Sequence, residues 1–149
     1  MKTCILLFSA TLALSGCSNS EDDMPGYTGR SGDLGAFIVS AAGKLGARPR
    51  STNGLPEIKA SWYSKDDDLR TQVFLSGNYF PQLQQFLTNA FGPLPEHPQT
   101  NNAAGKQSIA ASYGTNVGAE INYSWERTPD GKEYTSLMIS KVLKPAKSP

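Results

Sequence analysis

The sequence predicts an α+β fold, a two-layer sandwich in which two helices cover one face of an antiparallel sheet of about four to five strands. Two segments space their apolar residues as on one helix face, other segments alternate apolar and polar residues, and short turn sequences join neighbouring strands. The expected order is helix, two strands, helix, three strands (α-β-β-α-β-β-β), within a single domain of residues 33–143.

The first helix is predicted over Leu34–Leu45. Its apolar side chains recur at three- and four-residue intervals, which place them on one helix face. Asp33 can cap the N-terminus of this helix, and Gly46 can end it. Gly35 and Gly43 weaken it, because glycine costs up to about 1 kcal/mol relative to alanine inside a helix.

A β-hairpin is predicted next. Apolar residues occupy alternate positions in Glu57–Ser64, as in a strand with one buried face, and Leu69–Ser76 forms the second strand. The aspartates at 66–68 lie in the turn between them. A calcium-binding loop spaces its oxygen ligands at alternate positions and includes a glycine and a closing glutamate. We therefore interpret these consecutive aspartates as a soluble turn.

The most regular helical pattern of the chain predicts a second helix after Asn78, which is a suitable N-cap. Pro81 is compatible with the first turn of this helix, and Gly92-Pro93 ends it. Its apolar stripe consists of Phe80, Leu83, Phe86, Leu87, Ala90 and Phe91. We expect Phe86 and Leu87 to lie at the centre of the core.

Residues 93–106 are rich in proline and asparagine and are predicted to form a long loop. Loops of this length without secondary structure are usually functional or disordered. His97, the one histidine of the chain, lies here. A catalytic or zinc-binding histidine needs an orienting partner or further ligands, and the sequence offers none. We interpret His97 as an exposed residue and a candidate for contact with another protein.

Three more strands complete the predicted sheet, at Gln107–Tyr113, Gly118–Arg127 and Lys132–Leu143. In the middle one, Ala119, Ile121, Tyr123 and Trp125 alternate with Glu120, Asn122, Ser124 and Glu126. We expect the first set to lie beneath the helices, Ile121 and Tyr123 above all, and the second set to face solvent. Thr128–Gly131 predicts the turn into the last strand, whose residues 137–139 are apolar on both faces and indicate a central position.

The predicted strands are rich in aromatic residues. These are Trp62, Tyr63, Tyr113, Tyr123, Trp125 and Tyr134. The favoured interpretation is that they form the core beneath the helices. The alternative is that some line the open face of the sheet, where Trp and Tyr are common interface anchors. Trp125 and Tyr113 are therefore, with His97, the candidate protein-contact residues.

Composition limits the classes of function. The chain has 149 residues, 38% hydrophobic and 18% charged, which suits one globular domain. Lys2 is the only charged residue among the first sixteen, and the rest of the chain has equal numbers of basic and acidic side chains. A formally neutral chain argues against a nucleic-acid binder and against a polybasic membrane-surface protein.

The clearest motif lies at the N-terminus. After Lys2, residues 5–14 form an apolar run that is shorter than the roughly 20 residues of a transmembrane helix and typical of a signal peptide. The sequence Leu14-Ser15-Gly16-Cys17 follows. Over residues 1–17 the chain resembles the bacterial lipoproteins, whose lipobox reads Leu, a small residue, Gly or Ala, and then Cys.

This resemblance implies that residues 1–16 are a signal peptide, cleaved between Gly16 and Cys17, and that Cys17 carries a diacylglyceryl group. Several acyl chains hold a protein in a membrane far more firmly than one chain does. We expect residues 17–32 to be a flexible tether and residues 144–149 a disordered tail. Cys4 lies in the removed segment, so the mature chain is left without a disulfide partner for Cys17.

Together these features predict a non-enzymatic lipoprotein of the cell envelope that faces the periplasm and acts as a binding or assembly module. Its expected partners are the membrane, through Cys17, and another envelope protein. The outer membrane is favoured in a Gram-negative cell, because Ser18 stands where an aspartate would resemble an inner-membrane retention signal.

Two other classes of function stay open at this stage. One is an exported inhibitor or small-ligand-binding module that uses the aromatic sheet face or the 93–106 loop. The other, a hydrolase, is weaker because the Gly-x-Ser-x-Gly elbow is missing from the sequence. No catalytic residue, cofactor, metal or nucleic acid is expected.

Overall fold

The computed structural model describes residues 24–143. The predicted cleavage and lipidation at Gly16 and Cys17 and the predicted tail at residues 144–149 lie outside the described residues. The elements are, in chain order, β1 (Thr28–Asp33), α1 (Leu34–Lys44), β2 (Lys59–Asp66), β3 (Arg70–Ser76), α2 (Phe80–Phe91), β4 (Gln99–Ala103), β5 (Lys106–Tyr113), a 3-10 helix (Thr115–Val117), β6 (Ala119–Arg127) and β7 (Glu133–Lys141).

Within residues 24–143, the strands form one antiparallel sheet of seven strands in the spatial order β1-β2-β3-β7-β6-β5-β4. The predicted sheet of four to five strands and the predicted order α-β-β-α-β-β-β are therefore wrong, since the chain order is β-α-β-β-α-β-β-β-β. Both strands that the sequence analysis missed, β1 and β4, lie at the edges of the sheet. The strand β7 is central, as the residues at 137–139 predict.

The missed strands carry almost no buried side chains. All five residues of β4 are exposed, as are all but the last of β1. An edge strand is held by main-chain hydrogen bonds to its single neighbour, so its side chains need not alternate. The tether predicted over 17–32 therefore overlaps β1, and the loop predicted over 93–106 contains β4. The domain begins before residue 33.

Local capping sets the start of both helices. The carboxylate of Asp33 accepts hydrogen bonds from the backbone N–H groups of Gly35 (2.9 Å) and Ile58 (3.1 Å), so the predicted cap of α1 is confirmed. In α2 the N-cap position belongs to Tyr79, which makes no side-chain cap bond. Asn78, predicted as the N-cap, lies one residue earlier and accepts from the N–H of Phe80 at 3.2 Å.

Both helices pack on the same face of the sheet. Phe37 of α1 contacts Trp62 of β2, with ring centroids 5.4 Å apart, and Phe80 of α2 stacks on Tyr123 of β6 at 4.9 Å. The largest fully buried side chains in this layer are Tyr113, Tyr123, Phe86, Leu34, Ile38, Leu75, Leu83, Leu87, Ile121, Leu137, Ile139 and Val73. The predicted burial of Phe86, Leu87, Ile121 and Tyr123 is thus confirmed.

Neither helix within residues 24–143 is long and apolar enough to cross a membrane.

The predicted turns hold with small shifts of their ends. β2 runs to Asp66, which pairs with Thr71, so the turn is shorter than expected. The carboxylate of Asp67 closes it by accepting from the N–H groups of Leu69 and Arg70, both at 2.8 Å. The turn at Thr128–Gly131 joins β6 to β7 as predicted, with the Thr128 N–H donating to the Lys132 carbonyl at 2.9 Å.

Candidate functional site

The sheet face opposite the helices carries a groove of about 520 Å³. Its floor comes from positions that alternate with core residues along the three strands β5, β6 and β7. Tyr113, Ile121 and Leu137 point into the core, so their neighbours in sequence point to the open face. These floor residues are Ala110, Ser112, Asn122, Ser124 and Ser136. We call this feature the open-face groove.

Small side chains create the space in the floor. Ser124 and Ser136 lie directly opposite each other in β6 and β7, and their hydroxyl oxygens are 2.9 Å apart, within hydrogen-bond distance. On the other side, Ser124 pairs with Ala110 of β5. Three adjacent strands thus present a methyl group or a hydroxymethyl group, so a bound molecule can approach the backbone closely.

One wall of the open-face groove is aromatic and amide-rich. The Tyr27 hydroxyl, just before β1, donates a hydrogen bond to Oε1 of Gln72 at 3.0 Å. Nε2 of Gln72 in turn donates to the Met138 sulfur at 3.9 Å. Phe74 stands beside Gln72 on the same face of β3, and its ring centroid is 5.3 Å from that of Tyr134. This network holds the wall in one geometry.

The opposite wall comes from the segment that leads into β4. Glu96, His97 and Gln99 line the groove here. Gln99 pairs with Ala110 in the sheet, and its side-chain Nε2 donates to the carbonyl oxygen of His97 at 3.4 Å. The pairing of β4 therefore positions His97 at the rim, exposed to solvent.

The three candidate contact residues do not lie together. Tyr113 is only 1% exposed, beneath α2, and its hydroxyl donates to the Gly92 carbonyl at 2.9 Å. Trp125 lies on the helix side of β6, partly buried against the core. Only His97 lines the open-face groove. Burial in the core, not contact with a partner, accounts for Tyr113.

The six aromatic strand residues divide between the two faces. Trp62, Tyr113 and Tyr123 are buried on the helix side, as the favoured interpretation expects. Tyr63 pairs with Phe74, and Tyr134 pairs with Ser76. Because Phe74 and Ser76 are on the open face of β3, Tyr63 and Tyr134 lie on that face too. The period-two pattern assigns each residue to one of two faces, and only the packing shows which face the helices cover.

The ionisable side chains of the sheet differ between the helix-covered face and the open face. Burial raises the pKa of Tyr113 and of Tyr123, and the neighbouring Tyr113 raises that of Tyr123 as well. Both side chains are buried in the core. The acidic and basic side chains that line the groove are Glu96 and His97, at its rim. Within residues 24–143, no three His, Cys, Asp or Glu side chains are grouped as metal ligands would be.

Several groove residues were missed by sequence reasoning, namely Tyr27, Gln72, Phe74, Ser136 and Met138. The signal was present for two of them. Phe74 is an apolar residue on the otherwise polar side of β3, and Met138 is an apolar residue on the same face of the neighbouring strand β7. Apolar side chains on the uncovered side of adjacent strands indicate a contact surface. Tyr27 carries no such signal, because β1 itself was not predicted.

No known protein family, curated protein or solved structure matched this chain in our comparisons.

Proposed function

We propose that this protein is a lipid-anchored binding module of the cell envelope, and that the open-face groove is its binding surface. The anchor rests on the lipobox Leu14-Ser15-Gly16-Cys17, in which every position matches the lipoprotein pattern. The binding role rests on the groove. A tethered module of this kind holds its ligand or partner close to the membrane without transforming it.

The observation that carries the proposal is the pairing of apolar side chains with an uncharged polar floor. Phe74 and Met138 stand on the open face beside the hydroxyl groups of Ser124 and Ser136. Apolar and aromatic walls with a few fixed hydrogen-bonding groups are the usual composition of a ligand site. A ligand of mixed apolar and uncharged polar surface fits this lining.

Blocking the groove floor tests the binding surface. In Ser136→Phe an aromatic ring fills the floor, whereas in Ser140→Phe the same ring is placed on the same face of β7, outside the groove lining. The probe is Nile red, an uncharged dye that fluoresces in apolar surroundings. We expect the wild type and Ser140→Phe to bind the dye and Ser136→Phe to lose binding. If Ser136→Phe and Ser140→Phe bind the dye equally well, the open-face groove is not the binding surface.

The anchor is tested separately in cells. Cys17→Ala removes the only sulfur of the lipobox, and Cys4→Ala is the matched control because it leaves the lipobox intact. We expect a labelled fatty acid to be incorporated into the wild type and Cys4→Ala but not into Cys17→Ala. Cys17→Ala should also leave the membrane fraction. Its retention there after salt and carbonate washes would refute the lipid anchor.

A further inference from the structure

A second pocket lies at the end of the sheet where both helices finish. It has a volume of about 430 Å³. Its lining residues are Gly46, Arg48, Arg50, Phe91, Pro93, Tyr113, Thr115, Asn116, Val117 and Gly118. They come from the segment after α1, the end of α2 and the connection between β5 and β6. We call it the arginine pocket.

Backbone hydrogen bonds hold the two arginines in place. The N–H of Arg48 donates to the carbonyl of Val117 at 2.9 Å, and the N–H of Arg50 donates to the carbonyl of Ala90 at 2.6 Å. The segment is thereby bonded to the β5–β6 connection at one residue and to α2 at the other. Both arginines line the same pocket.

Gly92 makes room for one of the guanidinium groups. A Cβ atom at this position would lie 2.5 Å from the Cζ atom of Arg50, so any side chain here would displace the guanidinium. Residue 92 also has a φ of +95°, which favours glycine. The end of α2 thus provides a flat surface against which Arg50 packs.

Neither arginine has a partner for its charge among residues 24–143. Arg48 and Arg50 form no ion pair and donate no side-chain hydrogen bond there, while Arg30 bonds Asp66 at 3.2 Å and Arg70 bonds Asp67 at 3.3 Å. The lining of the arginine pocket contains no acidic residue and adds the hydroxyl of Thr115 and the amide of Asn116. The pocket is therefore concave, positively charged and rich in hydrogen-bond donors.

We propose that the arginine pocket binds a phosphate group. A planar guanidinium presents N–H donors in a fork that matches phosphate oxygens, and charge-assisted bonds of this kind are stronger than neutral ones. Two guanidinium groups in one pocket supply the charge that a phosphate needs, and a phosphate supplies the negative charge that the lining lacks.

The register of the sheet points to the source of that phosphate. Thr28 pairs with Ser64 at the same end of the sheet as Tyr113 and Ala119, so β1 begins at the end that carries the arginine pocket. Seven residues lead from Cys17 to Met24, a reach of at most about 25 Å. If Cys17 is anchored, as the proposed function requires, this end lies close to the bilayer. Phospholipid headgroups are then the nearest phosphates.

The test uses the mature chain, residues 17–149, made without lipid. The strands, helices and core that the structure describes lie within residues 28–141, so we expect the chain to retain this fold when the lipid is absent. One arm titrates it with inorganic phosphate and follows the amide signals of residues 113–118 by NMR. The other arm measures sedimentation with phosphatidylglycerol vesicles and, for comparison, with phosphatidylcholine vesicles.

The variants Arg48→Gln and Arg50→Gln each remove one guanidinium from the pocket. Arg127→Gln is the matched control, because it removes the same charge from the opposite end of β6. Losing one charge-assisted partner should weaken phosphate binding at least about tenfold in the pocket variants. Arg127→Gln should bind like the wild type, in both arms.

Each outcome decides one part of the proposal. If Arg48→Gln and Arg50→Gln lose phosphate binding and Arg127→Gln does not, the result supports the site. If the same two variants also lose binding to phosphatidylglycerol vesicles, the result supports a lipid headgroup as the source of the phosphate. Phosphate binding without vesicle binding would overturn the headgroup assignment. A wild type that binds neither, or equal binding by all three variants, would overturn the site. Since the chain used carries no lipid, such a failure leaves the anchor and the groove untouched.

Discussion

The hydroxyl group of Tyr113 donates a hydrogen bond to the carbonyl oxygen of Gly92 across 2.9 Å. This bond joins the last residue of β5 to the end of α2, where helix carbonyls otherwise lack partners. The same hydroxyl lies 3.2 Å from Oγ1 of Thr88, one turn earlier. A single phenol therefore fixes how the helix ends against the sheet.

Removing that hydroxyl should destabilise the protein. We expect Tyr113→Phe to lower the free energy of unfolding by about 1–2 kcal/mol, since the buried Gly92 carbonyl loses its hydrogen bond. Urea denaturation of the wild type and the variant measures the difference. Tyr123→Phe is the matched control, because the Tyr123 hydroxyl is buried with no hydrogen-bond partner among residues 24–143.

Tyr123→Phe should therefore be neutral or stabilising. The substitution removes an uncompensated polar atom and keeps the ring stacked on Phe80. A loss of stability as large as that of Tyr113→Phe would show that a water or another group serves the Tyr123 hydroxyl.

Gly35→Ala should destabilise the protein although alanine is the better helix former. A Cβ atom at residue 35 would lie 2.5 Å from Cε2 of Phe86, a core residue that is only 1% exposed. Overpacking of this kind costs about 1–3 kcal/mol, which exceeds the helix propensity gained. Thermal unfolding measured by circular dichroism tests the sign.

The matched control is Gly43→Ala in the same helix. A Cβ atom there meets nothing within 4 Å. We expect Gly43→Ala to stabilise the protein by up to about 1 kcal/mol, from helix propensity alone. If both alanine variants shift the melting temperature in the same direction, the packing of α1 on Phe86 is not as described.

Truncation in the core of α2 should be costly. Phe86 and Leu87 are 1% and 0% exposed, so Phe86→Ala or Leu87→Ala removes buried apolar contacts and leaves a cavity. Each should lower the free energy of unfolding by about 2–5 kcal/mol. The exposed neighbour Gln85 is the control, and Gln85→Ala should change the free energy of unfolding by less than about 0.5 kcal/mol. An unchanged urea midpoint for Leu87→Ala would contradict this position of the helix.

The β2–β3 turn should make stability depend on pH in the acid range. The N–H of Leu69, together with that of Arg70, lowers the pKa of Asp67 below its ordinary value. A carboxyl group with a lowered pKa stabilises the fold above its unfolded pKa, and this contribution is lost as the pH falls through the folded value. Asp67→Asn should therefore melt lower than the wild type at neutral pH.

The melting-temperature difference between Asp67→Asn and the wild type should narrow as the pH falls below the ordinary carboxyl pKa, because protonation removes the charge that the two N–H groups stabilise. Asp68→Asn is the control, since the Asp68 side chain accepts no hydrogen bond among the described residues. Its melting temperature should follow that of the wild type at every pH. If the melting temperature of Asp67→Asn stays below that of the wild type by the same amount from neutral pH to about pH 2, the prediction is contradicted.

Local patterns determined the elements whose side chains serve the core. The spacing of apolar residues predicts α1 and α2, the alternation from Ala119 to Trp125 assigns Ile121 and Tyr123 to the buried face, and Asp33 predicts a helix start. These signals are readable because each one reflects a periodic burial that the residues themselves must satisfy. The open-face groove is readable only in part, through Phe74 and Met138.

The tertiary structure alone decided the number of strands and the position of both pockets. The edge strands β1 and β4 form because a neighbouring strand offers main-chain partners, and nothing in side chains such as those of Gln99–Ala103 requires that pairing. Likewise, Arg48 meets the β5–β6 connection through its bond to Val117, and the pairing of Gln99 with Ala110 brings His97 to the groove. Hydrophobic periodicity is a property of one segment, whereas pairing and pocket formation depend on which segments become neighbours.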